Sequence, residues 1–106
     1  MNKYHTLTID GEEYKLRLTV SSILAIEKKL GKTLYSALED IQYNMVETMS
    51  FILWGALQKF NPNFSYEKAT DLFDQYIDEG HSIEELMEEL NAMFDASGFF
   101  AKGQVQ

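Results

Sequence analysis

The sequence predicts a mainly helical α+β domain: an N-terminal β-hairpin packed on a bundle of about five helices, the longest of them central. Three observations lead there. Two runs of alternating apolar and polar residues flank Asp10-Gly11, a dipeptide that favours a two-residue hairpin turn. From residue 20 onward, apolar residues recur at three- and four-residue steps, in segments opened by serine or threonine and closed by glycine or proline. Among these segments, 44–60 has the widest apolar face, formed by Met45, Val46, Met49, Ile52, Leu53, Ala56, Leu57 and Phe60 and widened by Phe51 and Trp54. The other elements are expected to wrap around it.

The hairpin is expected over 4–18. Tyr14, Leu16 and Leu18 share one face of the second strand, with Lys15 and Arg17 on the other; on the first, Leu7 and Ile9 alternate with Thr6 and Thr8. An isolated two-strand ribbon is marginal in water, so its apolar face needs a helical cover. Thr19 or Ser21 caps a helix over 20–30, whose inward set is Val20, Ile23, Leu24, Ile26 and Leu30 and whose end is Gly31. Thr33 opens a short helix over 34–41. Asn44 with Glu47 is the expected capping pair of the central helix, and Asn61-Pro62 its stop, because the residue before proline avoids helical geometry. Ser65 opens 66–78, with Ala69, Leu72, Phe73, Tyr76 and Ile77 inward and Gly80 at the end. Ser82 and Glu85 form a capping box for 83–96, with Ile83, Leu86, Met87, Leu90, Met93 and Phe94 inward. The single domain then spans 4–98, and 99–106 is an aperiodic C-terminal tail.

Composition narrows the function classes. A chain of 106 residues holds one core, and 45% hydrophobic residues place it among folded proteins. It has no cysteine, so disulfides, thiolate chemistry and cysteine-based zinc sites are excluded. No apolar run is long enough for a membrane span, and the first residues lack the apolar core of a signal peptide, which leads to the expectation of a cytoplasmic protein. The net charge of −8 is uneven: residues 1–53 have seven acids against six bases, and residues 54–106 ten against three. Such acidity opposes phosphate backbones and favours a partner with a basic surface.

No stretch has the pattern of an active site. Asp71, Asp74, Asp78 and Glu79, then Glu84, Glu85, Glu88 and Glu89, carry the spacing of solvated helix faces, and the EF-hand pattern is missing. His5 and His81 have no histidine partner at helical spacing, so no metal site and no cofactor are expected. Ser21, Ser22, Ser36, Ser50, Ser65 and Ser82 lack a nucleophile-elbow context, and four of them read as helix starts. The adjacent Phe99 and Phe100 follow a helix-ending glycine, outside any periodic pattern. They are either a plug folded back on the domain or a pair that binds a partner or forms an oligomer.

Four stretches, in this order, resemble the tail assembly chaperones of long-tailed, siphovirus-type bacteriophages and prophages of Gram-positive bacteria: TLTIDGEEYKLRLTV, SSILAIEKKLGKTL, FILWGALQKFNPNFSYEKATDLFDQYIDEG and SIEELMEELNAMFDASGFF. The resemblance covers roughly 4–100 and consists of patterns rather than catalytic signatures. It implies a non-enzymatic protein that coats the helical tape measure protein, keeps it soluble and helps recruit tail tube subunits. It also implies a place in the cytoplasm of the bacterial host rather than in the mature virion, and a longer frameshifted form of the chain as a further partner. Gly98-Phe99-Phe100 is a sequence that an uninterrupted, slippery run of uridines can encode, and a homo-oligomer on the tape measure is compatible with the family. Two other classes fit the composition: a structural virion component such as a connector or tail-completion protein, and an acidic DNA-mimic inhibitor of a nucleic-acid enzyme.

Overall fold

Alternating side chains and one tight turn build the N-terminus. The computed structural model describes residues 3–100. Strands β1 (His5–Ile9) and β2 (Glu12–Leu16) pair antiparallel, with Leu7 opposite Tyr14 and Ile9 opposite Glu12. Asp10 and Gly11 both adopt positive φ, 53° and 75°, the geometry whose twist matches the two strands. Leu7, Ile9, Leu16 and Leu18 are buried. The expected alternation therefore puts one apolar face on the core.

Five α-helices follow: α1 (Val20–Leu30), α2 (Leu34–Glu39), α3 (Met45–Leu57), α4 (Tyr66–Asp78) and α5 (Ile83–Ser97), with a 3-10 turn at Ile41–Tyr43 between α2 and α3. The fold is thus α+β and mainly α, a hairpin on a helical bundle. Helix α3 packs on α1, α4, α5 and β2, while α5 lies along β1. Its buried side chains include Met49, Ile52, Leu53, Ala56 and Leu57, and they meet Ile26, Leu34, Leu72, Phe73, Leu90, Met93 and Phe94 in one cluster. The central element is the most buried one.

Helix starts obey local chemistry. Thr19, rather than Ser21, caps α1: its Oγ1 accepts from Ser22 N–H while Ser22 Oγ accepts from Thr19 N–H at 2.7 Å. Thr33, Ser65 and Ser82 cap α2, α4 and α5, and Glu85 completes a box with Ser82. Gly31 and Gly98 end α1 and α5 in the left-handed conformation.

The structure corrects several sequence expectations. Asn44 makes no side-chain capping bond, so the Asn44–Glu47 pair does not form; Asn44 lies just after the 3-10 turn, at φ −141° and ψ 44°. Helix α3 ends at Leu57, short of 60: Gln58 N–H turns to Gly55 O, while Gln58 Nε2 donates to Trp54 O inside the helix and to Phe64 O in the loop beyond it. At 15 residues α5 is longer than α3 at 13, so the central helix is not the longest. The helix expected over 34–41 stops at Glu39 and gives way to the 3-10 turn. Finally, Val20, Leu24, Val46, Phe60 and Ile77, all assigned to inward faces, are exposed. Each apolar stripe is wider than the arc its neighbours cover, and the outer edge remains at the surface.

Candidate partner-binding surface

The polar candidates do not assemble into a reactive site. Asp71, Asp74, Asp78, Glu79, Glu84, Glu85 and Glu88 are exposed, as solvated helix faces require. Glu89 differs: its carboxylate meets His5 Nε2 at 2.5 Å, joining α5 to β1 across 84 residues of sequence. His81 stacks on Tyr76 with ring centroids 4.2 Å apart, and its Nδ1 lies 3.6 Å from Glu85. The Ser82 backbone N–H, above all, holds the Glu85 carboxyl below its ordinary range, helped by His81. Burial, with Glu89, Glu85 and Glu88 nearby, pushes the Tyr76 hydroxyl up to about 12. Among the described residues, no group of three or more His, Asp or Glu is placed to hold a metal ion. Of the hydroxyls, Thr19, Thr33, Ser65 and Ser82 serve helix starts, and Ser97 Oγ accepts from Leu18 N–H at 2.9 Å.

The surface features are apolar. An open groove of about 540 Å³ runs between the first turns of α3, the length of α4 and the start of α5. Its apolar lining is Val46, Tyr66, Phe73, Ile77 and Ile83, and its carboxylates are Glu47, Asp74 and Asp78. Val46 is 56% exposed, and Tyr66 and Ile77 also stand open to solvent. Tyr66 is held in place by stacking on Phe51, with centroids 4.4 Å apart. None of the three carboxylates has an ion-pair partner among the described residues. An apolar floor with an acidic rim is the chemistry that accepts an amphipathic helix bearing basic residues.

A second apolar feature follows α5. The adjacent phenylalanines are split: Phe100 packs edge-on against buried Phe94 at 5.4 Å, whereas Phe99 is 44% exposed. One is a plug, and the other is free for contact. The rest of the tail expected over 99–106, from 101 on, lies outside the described residues. Because Ile83 lines the groove and Phe99 comes after Ser97, the two features lie at opposite ends of α5, about 21 Å apart along its axis.

Sequence periodicity misses the groove. It placed Val46 and Ile77 inward, and only the acids beside them, Glu47 and Asp78, mark the border of those stripes. Compared with known proteins, residues 2–106 match a family described as "Family of unknown function (DUF6096)". No curated protein and no solved structure matches the chain.

Proposed function

The chain belongs to the DUF6096 family of unknown function, and for this member we propose the role of a phage tail assembly chaperone. In that role it binds the tape measure protein, keeps it soluble and helps recruit tail tube subunits in the bacterial cytoplasm. The observation that carries the reading is the surface: apolar side chains such as Phe99 stay open to solvent on a domain of net charge −8. Exposed apolar groups supply adhesion to another chain's helices, and the like charge of neighbouring complexes opposes their aggregation. The ordered resemblance of four stretches to tail assembly chaperones supports the same reading. Phe99 is the gripping residue in this account, and Phe100 anchors the segment that presents it.

Co-expression with the cognate tape measure protein, with and without the longer frameshifted form, tests the proposal. A soluble complex recovered by affinity capture is expected. Phe99→Ala should lower recovery of the partner several-fold at unchanged melting temperature, while Phe100→Ala should lower the melting temperature itself. A tape measure protein that stays insoluble and uncaptured in both combinations would overturn the role. In that case, detection of the chain in purified virions would favour a structural component.

A further inference from the structure

We propose that the groove binds a linear aliphatic polyamine: its ammonium groups meet the carboxylates of the rim, and its methylene segments lie on the apolar floor. The site is independent of any role in tail assembly. Glu47 on α3 and Asp74 and Asp78 on α4 are exposed and have no ion-pair partner among the described residues. Asp78 is the last residue of α4, Asp74 lies one turn before it, and the last turn holds no base. Carboxylates there face the negative end of the helix dipole, a repulsion that an added cation relieves. The three do not converge on one point, since among the described residues no group of three or more His, Asp or Glu is placed to hold a metal ion. Three separated anions call for a cation whose charge is spread along a chain.

Spacing and depth fix the class of ligand. Asp74 and Asp78 are about 6 Å apart along the α4 axis, within the reach of a short alkyl diamine, and Glu47 offers a third anchor from α3. The volume of about 540 Å³ falls in the range of small-molecule sites, roughly 300–1,000 Å³. Ser50 lines the groove at only 2% exposure; its hydroxyl makes no hydrogen bond among the described residues and can accept one from an ammonium group. A helix, about 10 Å wide, would rest on the exposed Val46, Tyr66 and Ile77, whereas a slim alkyl chain reaches down to Ser50. Tyr66 adds a fixed aromatic ring: stacking on Phe51, with centroids 4.4 Å apart, holds it at the groove, where it attracts a cation. Val46, Ile77 and Ile83 take methylenes out of water, which favours a polyamine over an inorganic cation.

The test is calorimetric titration of the full chain with spermidine, against magnesium chloride at matched ionic strength. One saturable site is expected for spermidine and none for magnesium, with amide shifts in NMR confined to the surroundings of Val46, Ser50 and Asp74. Asp74→Asn with Asp78→Asn should weaken binding about tenfold. Ile77→Lys, which presents the carboxylates with a resident ammonium group, should abolish it; both variants should keep the circular dichroism of wild type. Magnesium that reproduces the spermidine signal would overturn the proposal, because the acids would then hold only a diffuse cloud of counter-ions. So would spermidine binding that both folded variants retain, or shifts at residues outside the groove. If spermidine leaves the groove residues unmoved while a basic amphipathic peptide shifts them, the groove belongs to a protein helix and the proposal fails.

Discussion

Gly55 shows what one residue decides. It sits inside α3, where a Cβ would come within 2.4 Å of Ile26 Cδ1 and 2.5 Å of its Cγ1, and Ile26 is fully buried. Overfilling such a contact costs about 1–3 kcal/mol, which outweighs the ~1 kcal/mol gained when a helical glycine becomes alanine. Gly55→Ala should therefore lower the urea midpoint. In a double-mutant cycle with Ile26→Ala, the pair should lose less than the sum of the single losses. Tyr76 offers a second check. Its hydroxyl titrates at 10.0 when unfolded and at about 12 when folded. The folded state resists deprotonation, so this hydroxyl's contribution to stability is present below pH 10 and is lost between pH 10 and about 12. Tyr76→Phe should flatten that alkaline decline relative to wild type, as read from thermal melts across the interval.

At the scale of elements, starts were more legible than ends or faces. Four capping hydroxyls lie where the sequence has Ser or Thr ahead of an apolar period, because an N-cap bond spans only three residues. For α1 the sequence left Thr19 and Ser21 open, and the structure selects Thr19 through its bonds with Ser22. Thr19→Ala should cost about 1 kcal/mol in denaturant unfolding, and Ser21→Ala, exposed and without a cap bond, much less. The end of α3 was not legible. It depends on Gln58 reaching Phe64 O across a loop, a contact that no helical period encodes. Faces failed for a related reason. Period 3.6 identifies the apolar side of α1, α3 and α4 but not how wide an arc the neighbours cover, so Val20, Leu24, Val46 and Ile77 were assigned inward.

For the molecule as a whole, charge and apolar exposure are arranged together. Exposed apolar side chains on α1 precede lysines, while those of the groove lie beside carboxylates. The acidic excess of the second half of the sequence thus lies partly beside the groove, at Asp74 and Asp78. The hairpin is held to this body by buried side chains and by the His5–Glu89 contact. The phenylalanine pair is split, with Phe100 packed on Phe94 and Phe99 open to solvent, so under the proposed role Phe99→Ala should lower partner capture and Phe100→Ala stability.

By itself the sequence determined the class of fold, the order of its elements, the hairpin turn and most helix starts. These rest on interactions within a few residues: alternation, 3.6 periodicity, a positive-φ Asp-Gly turn and N-cap bonds. Tertiary structure alone decided which parts of each apolar stripe would be covered, where α3 would end, why Gly55 is small and how Val46 and Ile77 come to share a groove with Asp74. Those outcomes depend on packing between helices distant in sequence, and packing is set by the shapes of two surfaces at once. The candidate surface belongs to that second kind, since it is made of what the core left uncovered.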